Sequence, residues 1–293
     1  MSGALEAYLA SGHTTLCHAW RITRTDGVTF AFTDHDGDLS FGGQVFRADS
    51  GLSANAIAQS TGLSVDNTEA IGALSDAAIR EDEIEQGRFD VAEVVSWLVN
   101  WAAPEENWVQ FRGSIGELHR ADGVFRAELR GSTEALNRPL GRVFQKPCTS
   151  VLGDRSCGFD MGAPGYSVTL DVVESDAGRT FIWPALTGFE KGWFTRGRLD
   201  VLSGPAKGLW SMVKHDRLGK RGMRVIELWE PVRGDVGAGI SIKLTAGCDK
   251  RSETCRIKFD NFLNFQGFPD LPGEDWVMAV PKSKGTNTGG SRR

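Results

Sequence analysis

Four of the five cysteines in this chain fall into two pairs. Eight residues separate Cys148 from Cys157 and six separate Cys248 from Cys255, with about ninety residues between the pairs. Thiolates are soft ligands, and four of them can hold a tetrahedral zinc ion or an iron–sulfur cluster. Paired zinc ligands usually stand two to four residues apart, so this spacing leaves zinc, a cluster, and unligated or disulfide-bonded thiols all open. Pro147, Gly153, Gly158 and Gly247 lie beside the cysteines, as expected where backbone turns closely around a bound centre. Lys250, Arg251 and Arg256 crowd the second pair, and such charges stabilise thiolates and an anionic centre. The expectation is one metal site that closes the C-terminal half of the chain.

The remaining chemistry-bearing residues read more plainly. Asp34, His35, Asp36 and Asp38 could form a hard-cation site or an acid–base pair. No Glu stands twelve residues from the first Asp, as a calcium loop needs, so the stretch reads as a polar turn whose carboxylates bond nearby amides. Cys17 and His18 are adjacent in a strand pattern and point to opposite faces, which makes Cys17 a packed thiol. The five histidines, at 13, 18, 35, 119 and 215, show no metal-pair spacing. No nucleophile elbow, phosphate-cradling loop or His-Glu-x-x-His helix is present. No catalytic residue is assigned.

Net charge is −5, which argues against broad nucleic-acid binding, since that needs a basic face. Val91 to Ala103, among the longest apolar runs, is broken by Glu93 and Asn100 and too short to cross a bilayer. The N-terminus lacks a basic region followed by an apolar core, so no secretion signal is expected. In a reducing cytosol, clustered cysteines favour a metal over disulfides.

The elements that must position the cysteines read as short strands between turns, in keeping with 36 glycines. A short helix is expected over Ala4–Leu9. Strands follow within 14–33 about a Thr25-Asp26-Gly27 turn, then at 44–48, within 54–67 and over Phe89–Trp101. A helix over 75–84, capped by Ser75 and stopped at Gly87, precedes the last of these. Residues 108–113, 116–119 and 124–129 read as a meander, and a helical turn opens at Ser132 and is limited by Pro139. Farther on, strands are expected at 166–173, 180–183, 189–202, 208–214, 224–228 and 240–244, a small barrel or sandwich closed at its base by the cysteine segments. Trp183, Trp193, Trp210 and Trp229 read as core and interface aromatics. The domain expectation is 1–140 and 141–281, both mainly β, followed by a flexible tail over 282–293.

Several of these stretches resemble one family. Gly141-Arg142-Val143-Phe144-Gln145 leading to Cys148, Val151-Leu152-Gly153-Asp154 and Cys157-Gly158 form one signature. Thr245 to Arg251, Glu253 to Arg256, Lys258-Phe259, Asn264 to Pro269 and Leu271 to Asp275 form the second. Together with Thr33-Asp34-His35-Asp36, they resemble tail-tip or baseplate hub proteins of siphovirus-like phages. That family includes the hub of bacterial gene transfer agents and, more distantly, the minor tail protein L of phage lambda. The resemblance implies two tail-tube-like β-barrels per subunit and a homotrimer of pseudo-sixfold symmetry. It places that trimer between a hexameric distal tail ring and a trimeric central tip or fibre protein, around a DNA channel. It also implies a [4Fe–4S] cluster on Cys148, Cys157, Cys248 and Cys255, with zinc as the alternative. The location implied is the tail tip of a phage or gene-transfer-agent particle assembled in the bacterial cytoplasm, with no membrane insertion. A tail-carried metalloenzyme or cell-wall hydrolase with a zinc site is the alternative function.

Overall fold

In the computed structural model, the described residues are 3–10, 12, 15–48, 52–54, 67–73, 80–121, 124–131, 141, 143–184 and 186–272. The Ser75 cap, the helical turn at 132–139 and the tail at 282–293 lie outside them. The fold is mainly β, as the glycine-rich, alternating sequence predicts. No helix among the described residues is long and apolar enough to cross a membrane. The chain divides into two compact units. The first comprises residues 1–140 with the loops 203–209 and 232–236; the second comprises 141–202, 210–231 and 237–293.

The first unit opens with α1 (Gly3–Ala10), then β1 (Leu16–Thr23), β2 (Thr29–Thr33), β3 (Leu39–Phe41), β4 (Gln44–Phe46), β5 (Leu52–Ala54) and β6 (Asn67–Ala73). It continues with α2 (Glu81–Glu85), β7 (Glu93–Asn100), β8 (Asn107–Ala121) and β9 (Val124–Gly131). The main sheet runs β2-β1-β7-β8-β9-β6-β5, and each recorded strand pair is antiparallel. Sequence alternation explains why it is covered on both faces. Ile22, Phe32, Val94 and Phe111 meet Phe89 and Ala92 on one side. Cys17, Ala19, Ala31 and Val99 meet Leu39, Phe41 and Phe46 of the β3–β4 hairpin on the other. The two strands expected at 108–113 and 116–119 are a single strand. A bulge between Ile115 and Leu118 bends it without ending it.

The second unit contains β10 (Ser167–Asp171), β11 (Glu174–Asp176), β12 (Thr180–Trp183), β13 (Arg198–Val201), β14 (Trp210–Leu218), β15 (Arg224–Leu228), β16 (Ser241–Thr245) and α3 (Ser252–Ile257). The sheet order is β10-β16-β13-β14-β15-β12-β11. Asp171 and Glu174, on opposite edge strands, are three Cα steps apart and so at most about 11 Å. Six strand spacings laid flat would separate those edges by about 29 Å. The sheet therefore curls until its edges meet, as a barrel does. A similar limit acts in the first unit. Arg47 bridges Phe32 at one edge, and Leu52 begins the other edge strand five steps later, within about 19 Å.

Phe181, Phe194, Leu199, Val213, Ile226, Leu228, Ile242 and Leu244 fill the second core. A buried ion pair lies within it. Arg224 Nη2 donates to Asp216 Oδ2 at 2.6 Å, and its other bonds go to the carbonyls of Phe189 and Glu190. Asp216 also accepts the Phe194 amide at 2.9 Å. These bonds hold residues 189–197 off strand geometry, with turns over 191–196, so the strand expected over 189–202 is confined to β13. Trp183 is in the core, whereas Trp210 and Trp229 are more than half exposed.

Candidate metal centre

Strand register brings the cysteine segments together. β10 and β16 are antiparallel neighbours, with Ser167 opposite Thr245, and the Ala246 amide donates to the Tyr166 carbonyl at 2.7 Å. The chain entering β10 and the chain leaving β16 thus emerge side by side. Cys157 stands ten residues before Ser167, and Cys248 three after Thr245. Backbone bonds continue the contact: Cys148 N donates to Lys250 O at 2.9 Å and Phe268 N to Gln145 O at 2.9 Å. The Lys250 ammonium donates to the Ser150 carbonyl.

All four cysteines line one cavity of about 340 Å³, open mouth included, together with Ser150, Leu152, Lys250, Arg251, Phe259, Asn261, Asn264 and Phe265. All four thiols are free. Among the described residues, no three His, Cys, Asp or Glu side chains are gathered as a single ion would require. The four thiols share this cavity.

Local geometry explains the residues around each cysteine. Asp154 accepts from the amides of Val151, Ser156 and Cys157, at 2.7, 2.9 and 2.6 Å. Those amides, that of Cys157 foremost, hold its carboxyl below the usual range. Gly158 has φ +62° and so takes the left-handed turn out of the loop. Gly247 lies against the backbone of Thr195 and Gly197, where any Cβ would collide. Cys255 sits in α3, and its thiol donates to Asn261 O at 3.3 Å.

Burial foremost, with the neighbouring Cys248, Cys148 and Cys157, pushes the Cys255 thiol up to about 11. Burial also raises Cys248, against the opposing effect of the Lys250 amide and ammonium. Such thiols ionise when a cation arrives to take their charge, so loading this site releases protons. Donors already face the sulfurs: Gln266 N lies 3.4 Å from Cys148 Sγ and Asn261 Nδ2 3.5 Å from Cys157 Sγ. The donor set fits a thiolate-bound metal centre.

Sequence reasoning placed Lys250 and Arg251 correctly beside the cavity. Arg256 instead stacks over Phe262 at 4.5 Å and does not line it. Two other residues were given no role from sequence. Lys258 is half-buried, donates to the carbonyls of Trp193 and Gly247, and lies 4.3 Å above the Trp193 ring; burial pushes its ammonium down to about 8. Asn261 spans both cysteine segments. Its only sequence signal is an Asp-Asn dipeptide just past a helix, an ordinary turn marker.

The acidic stretch of the first unit forms the expected turn. Asp34 accepts from His18 N at 2.6 Å and pairs with His18 Nδ1 at 3.0 Å, and Asp38 accepts from Ala48 N. His35 bonds within its own turn and packs on Trp101. Cys17 is buried and donates to Val99 O, and burial pushes its thiol up to about 11.

Comparison with known proteins gives two family matches. Residues 2–160, which include the first cysteine pair, match a family described as baseplate hub protein, N-terminal attachment domain. Residues 192–275, which include the second pair, match the family of phage conserved hypothetical protein BR0599. A solved chain from the virion of a native gene transfer agent particle is 49% identical with a TM-score of 0.90, over 98% of this chain and 99% of that one. No curated protein matches the sequence. The first profile covers more than half of the residues, and the solved relative nearly all of them: the chain belongs to the baseplate hub family of phage-like tails.

Proposed function

We propose that the chain is a structural hub at the tail tip of a phage or gene-transfer-agent particle, with no reaction of its own. It assembles as a homotrimer and joins the hexameric distal tail ring to the central tip or fibre protein. Two curled β units per subunit support this reading, because three copies present six such units around an axis. The hub surrounds the path of the DNA, and a net charge of −5 is compatible with a lining that does not retain a polyanion.

Cys148, Cys157, Cys248 and Cys255 hold a [4Fe–4S] cluster whose role is structural. The observation that carries this is the convergence of all four thiols on one cavity in a member of the hub family. Four thiolates suit a cluster or zinc, and the resemblance to hub proteins favours the cluster. When bound, the group supplies a covalent cross-link between segments about ninety residues apart. The chain's own residues supply the thiolates, the amide donors and the Lys250 and Arg251 charges.

Anaerobic purification followed by iron, acid-labile sulfide, zinc and solution-mass analysis tests this reading. Equal iron and sulfide, near four per chain, in a trimer is the expected result. Zinc alone would remove the cluster, and a metal-free protein with titratable thiols would remove the centre.

A further inference from the structure

We propose that Asn261 is the positioning residue of the four-cysteine centre, coupling its two halves and donating to the Cys157 sulfur. The inference rests on the metal-centre reading above. Asn261 follows α3, which carries Cys255, and its amide nitrogen donates to the Cys255 carbonyl at 3.0 Å. Its side chain reaches the other cysteine segment: Nδ2 donates to Cys157 O at 2.7 Å and lies 3.5 Å from Cys157 Sγ. One residue thereby contacts one cysteine of each pair.

The orientation of the side chain is fixed. Asn264 Nδ2 donates to Asn261 Oδ1 at 2.7 Å, so the acceptor end is taken and the donor end must face Cys157. The backbone is held as well. Asp260 has φ +46°, a conformation costly for a residue with a Cβ, and the 3-10 turn at Phe262–Asn264 follows directly. Amide donors to ligating sulfurs disperse thiolate charge and help set a cluster's reduction potential. Cys148 has a backbone donor in Gln266, and Cys248 one in Lys250. Asn261 serves the Cys157 sulfur from a side-chain amide, so this donor can be removed without changing the backbone.

The test uses the full chain, loaded anaerobically with iron and sulfide, as wild type, Asn261→Asp and Asn261→Ala. Asn261→Asp keeps the shape and the acceptor for Asn264 but removes the donor. The expected result is that a chelator strips iron from both variants at least about tenfold faster than from wild type. The reduction potential of both falls. Asn264→Ala, which frees the amide to rotate, gives a smaller effect of the same sign. A wild type that takes up neither iron nor zinc overturns the centre and this role together. A loaded wild type beside an Asn261→Asp protein of equal iron content, release rate and potential overturns the role of Asn261 alone. Faster release with an unchanged potential also overturns it, because a purely structural loop residue would produce that pattern.

Discussion

The two β units share one strand order and differ in where the chain is cut. In the second unit, β13-β14-β15 form a meander flanked by β12 and β11 on one side and by β16 and β10 on the other. In the first, β7-β8-β9 are flanked by β6 and β5 and by β1 and β2 in the same way. The match is complete when β1 is set against β16 and β2 against β10, with the β3–β4 hairpin as an insertion. The units are circular permutations of one topology. In the first, the turn Arg24–Val28 joins β1 to β2 covalently, closed by Arg24 N donating to Val28 O at 2.9 Å. In the second, the matching place, between Thr245 and Ser167, has no peptide link, and the cysteine segments leave from there. The four cysteines lie at the position of a hairpin turn. The difference teaches that a fold opened at a turn loses a covalent link there, which the proposed cluster would supply.

The largest expected effect concerns the second core, where both partners of an ion pair are buried; in the first unit buried Arg24 pairs with the more exposed Asp26 and Glu83. Arg224→Ala leaves Asp216 charged and unpaired and should cost about 3–5 kcal/mol. Replacing both partners with apolar residues of similar volume should cost far less. Denaturant unfolding measures both; a loss under about 1 kcal/mol for Arg224→Ala would make the pair incidental.

Removing the cross-link comes next. Stripping the proposed cluster, or combining Cys148→Ser with Cys248→Ser, should cost the second unit about 2–5 kcal/mol, as loss of a long-range cross-link does. Proteolysis of the first unit should not change. Ser167→Cys with Thr245→Cys places a disulfide across directly opposed residues, within the Cα range a disulfide tolerates. Once oxidised, it should restore most of the loss without metal. If it restores nothing, the centre is more than a substitute for a turn.

Cys17 sharpens the contrast between thiols. Cys17→Ser buries a hydroxyl in the apolar face beside Val99 and should cost about 1–3 kcal/mol, with iron content unchanged. A fall in iron would show that the fifth thiol belongs to the site.

The smallest effect is a pH dependence at the covalent turn. Burial alone would raise the Asp26 carboxyl, but the hydrogen bond from Arg24 and the nearby Arg88 charge outweigh it and hold the group below 3.8. A lowered folded value means the contribution is present above pH 3.8 and is lost as pH falls through that lowered value. Asp26 is 41% exposed, so solvent screening keeps the pair under about 1 kcal/mol. Asp26→Asn should flatten the acid limb of the first unit's stability curve by that amount; an unchanged limb would leave the turn held by its backbone bonds alone.

The sequence by itself determined the local pieces. Alternating apolar residues set β1, β2, β7, β12 and β15, because a two-residue period admits only one face to each core. Asp26-Gly27 marked the first hairpin, and Asp34 and Asp38 marked a turn, because short carboxylates bond nearby amides. The cysteine types and their flanking glycines indicated a soft-metal site. The turns over 191–196 were illegible, since Arg224 and Asp216, distant in sequence, hold residues 189–197 away from strand geometry. Asn261 was illegible too, because nothing local distinguishes a cysteine-facing amide from a solvated one. Only the tertiary structure decided that the two cysteine pairs meet. That follows from the antiparallel register of β10 and β16, which places the end of one strand opposite the start of another about eighty residues earlier. Strand pairing between distant segments depends on the whole sheet closing, and no local pattern encodes it.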